Sequence, residues 1–162
     1  MFIYSIRATT IRFILLTLAL AVLVGGLAIG GAGESISAVS LATEIDYDGV
    51  KTKEKRIEFM REFGIEVDEG SEQEQAFRMP DSFDRVIAGY NQLQQRQGLD
   101  LSKYRNKRVT RYSYRVTNFR GDGEVMANLF IYRGRIVACD LSSQSPDGFV
   151  IPLTQVERES LK

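Results

Sequence analysis

The chain carries few residues able to do chemistry, and histidine is not among them. Its absence removes the commonest general base, every imidazole-dependent nucleophile and the most usual metal ligand. The single cysteine, Cys139, excludes an intrachain disulfide and any zinc centre built from several thiolates. A catalytic thiolate would need a base or a cation beside it. Cys139 instead falls between Val137 and Leu141 on one face of a predicted strand, where it is expected to act as a buried small hydrophobe. Carboxylates remain, and two of them at a set separation suffice for glycoside hydrolysis. Asp84, Asp100, Glu124 and Asp140 lie outside the obvious acidic run, and Asp140 follows a strand with apolar neighbours. Their spacing selects no pair, and Asp84 suits the first turn of a helix through the macrodipole. Asp46-Tyr47-Asp48-Gly49 has the look of a calcium loop but lacks the third carboxylate, and Ile57 stands where the twelfth-position glutamate belongs, so a plain turn is expected. No catalytic residue, metal or cofactor is assigned.

Charge distribution is more informative than charge balance. Lysine and arginine total 21 against 21 acidic residues, so net charge does not point to nucleic acid. Between Lys103 and Arg120, however, every charged residue is basic, whereas Glu62 to Asp84 holds eight acids and one base, Arg78. Lys103, Arg105, Lys107, Arg108, Arg111 and Arg115 are therefore the candidate residues for binding an anionic partner, such as lipid head groups, an envelope polymer or an acidic protein surface. Tyr104, Tyr112 and Tyr114 interleave with them, a pattern that also serves single-stranded nucleic acid. Export of the domain argues against that partner. The competing expectation is that the basic and acidic stretches solvate opposite faces or pair within the fold.

Export is read from the N-terminus. From Phe13 to Gly33 there is no charged residue, and a helix of that length spans about 30 Å, the thickness of a bilayer's hydrocarbon core. Arg7 and Arg12 precede the run, and no acid occurs before Glu34, which keeps the N-terminus inside. The expected organisation is a cytoplasmic segment 1–12, a transmembrane signal-anchor 13–33, a linker 34–51, an extracytoplasmic domain 52–153 and a tail 154–162. The alternative is secretion after cleavage, with Ser35-Ile36-Ser37 before Ala38 as the peptidase site.

Past the linker the periodicity predicts an α+β domain. Thr52 caps a helix from Lys53 to Phe63, and Gly64 stops it. Ile65-Glu66-Val67 alternates briefly, as do Gln75, Phe77 and Met79 before Pro80. A second helix runs from Ser82 to Gln97, capped by Asp81 or Ser82, with Phe83, Val86, Ile87, Tyr90 and Leu93 as its apolar stripe. Strands are predicted over 107–117, 124–132 and 135–141, with a tight hairpin at Arg133-Gly134 and a short fourth strand over 149–151. The picture is a three- to four-stranded antiparallel meander with two helices packed on one face.

Residues 80–117 and 127–149 carry an ordered set of motifs: Pro80-x-x-Phe83-Asp84, Tyr90-Asn91-x-Leu93-Gln94, Gly98-x-Asp100-Leu101-x-x-Tyr104 and Gly148-Phe149. With these the chain resembles a domain-of-unknown-function family of membrane-anchored extracytoplasmic proteins from Gram-positive anaerobic bacteria, over roughly residues 52 to 152. The resemblance implies the architecture and the anchor and transfers no site. The sequence departs from similar chains at Asn106 and Cys139, where glycine is common, and asparagine tolerates a left-handed turn. The function expected is a membrane-tethered extracytoplasmic binding domain. Its partners would be the cell membrane through residues 13–33 and an anionic envelope component or a membrane protein, not nucleic acid. The alternative is a small carboxylate-dependent hydrolase acting on an envelope polymer.

Overall fold

The computed structural model describes residues 45–162, apart from 122, 144, 146 and 147. The expected transmembrane segment 13–33 and most of the linker lie outside the described residues. Among the described residues no helix is long and apolar enough to cross a membrane.

Five antiparallel strands form one sheet in sequence order: β1 (Gln73–Arg78), β2 (Arg108–Arg115), β3 (Val125–Tyr132), β4 (Arg135–Ser143) and β5 (Val150–Pro152). The sheet is therefore one strand larger than the three- to four-stranded meander expected. The added strand is β1, whose alternation is short and falls within an acidic stretch that reads as solvated. Two α-helices complete the layers, α1 (Lys53–Glu62) and α2 (Arg85–Gln95). Thr52 caps α1 as expected, accepting from the Lys55 amide. Helix α2 begins later than the sequence suggests, because Asp84 rather than Asp81 or Ser82 is its cap and accepts from the Ile87 amide at 2.9 Å.

The helices serve opposite faces of the sheet, not one. Ile57, Phe59 and Met60 of α1 pack with Tyr114, Ala127, Leu129 and Leu141. Tyr90 of α2 packs with Val109, Phe130, Val137 and Ala138, which belong to the other face. Both faces of β3 and β4 are thus buried, and these strands read as continuous apolar runs. A bulge between Phe130 and Ile131 sets Val137 apart in the β3–β4 register, so Val137 does not share a face with Cys139 and Leu141. The β3–β4 hairpin turns on Arg133 and Gly134, both at positive φ (53° and 85°), as a two-residue turn of this hand requires.

Several segments close the sheet's β4 side. Val50 donates to the Gly134 carbonyl and Ile136 to the Tyr47 carbonyl, both at 2.8 Å, so part of the stretch expected as a linker is tied to the sheet. Next along that edge, Gln94 Oε1 accepts from the Cys139 amide at 2.9 Å, and Gln97 Nε2 donates to the Cys139 carbonyl at 2.7 Å. The two glutamines stand where a neighbouring strand would be, and β5 takes over from Asp140 onward. At the C-terminus, Leu161 is buried against Phe119, and Lys162 N donates to the Asn118 carbonyl at 2.7 Å.

Candidate functional site

The basic stretch divides into three environments. Lys103, Arg105, Lys107 and Arg108 are exposed at one end of the sheet. Arg115 is drawn into an ion pair with Asp68 of the acidic stretch. Arg111 is half-buried on the α2 face, where its Nη2 donates to Gln75 Oε1 at 3.0 Å. Removal from water pushes its guanidinium below the usual range, against the opposing pull of Asp140 and Tyr90. The structure thus brings together four of the six candidate residues. Arg111 is not on the exposed basic end because its strand parity aims it at the interior with Ser113 and Asn128.

The exposed end is held in shape by the chain around it. Asp100 caps the 3-10 turn Leu101–Tyr104, accepting from Ser102 N and from Asn91 Nδ2 of α2, each at 3.0 Å. Asn91 Oδ1 in turn accepts from Leu101 N at 2.7 Å. Leu101 anchors the turn in the core beside Met79, Tyr90 and Val109. Hydrogen bonds from Ser102 and Asn91, with a smaller pull from Lys103, hold the Asp100 carboxyl below its ordinary range despite some desolvation. Asn106 then takes a left-handed conformation (φ 61°), and its amide donates to the Met79 carbonyl at 2.9 Å. Asparagine is among the few non-glycine residues that take this conformation readily.

Arg78 is a fifth cation at this end, which sequence reading left in the acidic stretch. The β1–β2 register sets it directly opposite Arg108, and its Nη1 donates to the Asn106 carbonyl at 2.8 Å. Only the strand pairing reveals the neighbourhood. Aromatic rings interleave with the cations: Arg105 lies 5.0 Å from the Phe83 ring centroid, Tyr104 meets Tyr132 edge-on at 5.5 Å, and Arg133 lies 5.2 Å from the Tyr132 ring. Among the described residues, none of Arg78, Lys103, Arg105, Lys107 and Arg108 forms an ion pair.

The acidic stretch is more fully engaged. Asp68 pairs with Arg115, Glu69 with Arg61 and Glu72 with Arg56. Arg56, buried on α1, donates from Nε to Tyr114 Oη at 2.8 Å and from Nη2 to Glu72 Oε2 at 2.9 Å, and it stacks 3.7 Å over the Tyr112 ring. Tyr114 thus belongs to the interior, and Tyr112, half-buried, has one ring face covered by Arg56.

Family comparison falls on this same segment. The family described as a domain of unknown function (DUF4830) matches residues 59–141, slightly more than half the chain. The chain belongs to the DUF4830 family. No curated protein and no solved structure matches it. The DUF4830 segment runs from within α1 to within β4 and contains all five exposed cations.

Three of the four carboxylates considered for hydrolysis have other partners inside the DUF4830 segment, and the fourth, Glu124, is exposed just before β3. Asp84 and Asp100 are caps. Asp140 is fully buried on the α2 face, accepting from Tyr90 Oη at 2.6 Å and from Asn128 Nδ2 at 2.8 Å. Burial pushes its carboxyl up to about 6, while Tyr90, Asn128 and Arg111 pull it down. Cys139 is fully buried, and desolvation with the adjacent Asp140 raises its thiol well above the ordinary range. Among the described residues no group of acidic or cysteine side chains is arranged to hold a metal ion.

Proposed function

We propose that this DUF4830 protein is a membrane-tethered, extracytoplasmic binding domain whose basic, aromatic-lined end takes an anionic component of the cell envelope. One observation carries the reading: five cations gather at one end of the sheet without an acidic partner among the described residues, while three acids of the neighbouring stretch are each paired elsewhere. Half-buried rings beside the cations add apolar contact area and favour guanidinium stacking. The uncharged run from Phe13 to Gly33, with Arg7 and Arg12 before it, supports the tether and the outward orientation.

The test is retention of the full chain on membranes and wall material from its own cell. Binding through exposed cations weakens steeply with salt, since the screening length falls from about 10 Å at 0.1 M to about 3 Å at 1 M. Retention beyond that given by the anchor is expected to vanish in Lys107→Glu/Arg108→Glu and to survive in Arg111→Gln. Unchanged retention in the charge-reversed protein overturns the binding site. Protection of the domain from membrane-impermeant labels in intact cells overturns the outward orientation.

A further inference from the structure

The two sides of the sheet are finished differently. On the β4 side the backbone is met by Tyr47, Val50, Gln94, Gln97 and β5. On the other side β1 is the last strand, and its outer backbone meets nothing among the described residues. Which groups lie on that edge follows from the ladder. Met79 N donates to the Lys107 carbonyl at 2.9 Å, and along an antiparallel strand the amides alternate in direction. Phe77 and Gln75 therefore bond to β2, whereas the N–H and C=O groups of Glu74, Ala76 and Arg78 point outward. Arg115, two residues beyond the partner of Gln73, obeys the same parity, because its outward amide is met by Ser71 Oγ at 2.8 Å.

An unpaired edge of this length is a template for another strand. Its sequence is also complementary to itself. Two copies of β1 laid antiparallel about an axis at Ala76 place Ala76 opposite Ala76, and each Glu74 opposite the other copy's Arg78. The outward groups of those three residues then satisfy one another in narrow pairs, about six hydrogen bonds in all. Alanine on the axis keeps bulky side chains from colliding there. The charge pairing answers a feature of the single chain, since Arg78 faces Arg108 across β1–β2, like charge against like, with no carboxylate paired to either. Glu74 of the second copy brings an acid to the outer side of that pair.

We infer that β1 is a homodimerisation edge: two copies of this chain join antiparallel through residues 73–79, centred on Ala76, into one continuous sheet of ten strands. The inference shares Arg78 with the proposed basic end, but it is read out by self-association, whereas the anionic partner is read out by envelope retention. The test is the self-association of the full chain, purified in mild detergent and followed by sedimentation. Glu74→Arg and Arg78→Glu each put like charges opposite twice and are expected to weaken the dimer about tenfold or more. The double exchange Glu74→Arg/Arg78→Glu restores opposite charges in the same register and is expected to recover most of the loss. Ala76→Pro removes an outward N–H that β2 does not use and is expected to leave a monomer with native secondary structure. A wild-type chain that stays monomeric up to about 100 μM, weaker than the micromolar range of ordinary assemblies, overturns the inference. So does a double exchange no better than the single changes.

Discussion

Asp140 gives the sharpest expectation, because its environment makes stability fall as pH rises through a defined window. Its carboxyl is fully buried, with two hydrogen-bond donors and no ion pair, and burial lifts it from an ordinary 3.8 to about 6. A folded-state value above the unfolded one means the folded chain holds the proton more tightly. The associated stability is complete below about pH 3.8, declines between there and about pH 6, and is gone above. At 1.36 kcal/mol per pH unit, the whole decline amounts to about 3 kcal/mol. Asp140→Asn keeps the shape and resembles the protonated carboxyl: its Oδ1 still accepts from Asn128, and its Nδ2 donates to a Tyr90 hydroxyl that turns acceptor. Urea unfolding of both proteins between about pH 4 and pH 8 supplies the comparison. Near pH 4 the two are expected to be of similar stability, and above pH 6 the asparagine protein more stable by up to about 3 kcal/mol. Other carboxyls do not confuse the comparison. Asp68 is held low by the Gly70 amide and then Arg115, and Asp100 by Ser102 and Asn91. Both cost stability as pH falls, but equally in the two proteins. A stability difference that does not change with pH would refute the reasoning, since it would mean that Asp140 ionises as easily inside as in the unfolded chain.

The remaining expectations concern single contacts. Arg56→Ala leaves Tyr114 and Glu72 without the guanidinium that joins them, and unfolding measurements are expected to show a loss of about 3 kcal/mol. Asn91→Ala releases Leu101 N and one donor to Asp100; about 1–2 kcal/mol of stability is expected to go, with weaker envelope retention because the turn carrying Lys103 loses its support. The Cys139 thiol is expected to resist aromatic disulfide reagents in the native chain and to react once the chain is unfolded in urea, because burial opposes thiolate formation. Gly134→Ala is expected to destabilise the β3–β4 hairpin by about 1 kcal/mol or more, since the position combines φ 85° with a Lys51 side chain 2.6 Å from an added Cβ.

Elements with strong periodicity and an ordinary cap were legible in the sequence: α1 from Thr52, the body of α2, and β2 to β4 with their Arg133-Gly134 turn. What escaped was set by tertiary contact. The buried side of α2 includes Asn91 and Gln94 beside Ile87 and Tyr90, and no apolar stripe announces a buried amide. Asn91 is there to hold the 3-10 turn, and Gln94 to meet the backbone of β4. Opposite placement of the helices was hidden for a related reason. Continuous apolar runs in β3 and β4 imply two covered faces, but the meander in β2 alternates clearly enough to suggest one. Of the candidate cations, Lys103, Arg105, Lys107 and Arg108 could be grouped by proximity in sequence. Arg78 could not, because the pairing of β1 with β2 brings it there, nor could the withdrawal of Arg111, which depends on which face α2 covers.

The same register explains why one end of the sheet is basic although the chain as a whole is neutral. Strand β1 runs antiparallel to β2, so the acidic residues that precede β1 meet the C-terminal end of β2. Asp68 reaches Arg115 there, and the Asp68 amide donates to the Arg115 carbonyl at 2.9 Å. Farther along, Glu72 turns inward to Arg56 and Tyr114. By the time β1 arrives beside Arg108 its one carboxylate, Glu74, has been left behind opposite Tyr112, and the residue it presents is Arg78. Neutralisation therefore proceeds from one end of β2 and stops before the other. Had β1 paired in parallel, Asp68 and Glu69 would lie near Lys107 and Arg108, and the unpaired cations would gather near Arg115 instead. The position of the basic end follows from strand direction more than from composition, which is why counting charges located the basic stretch but could not say which of its residues stay exposed.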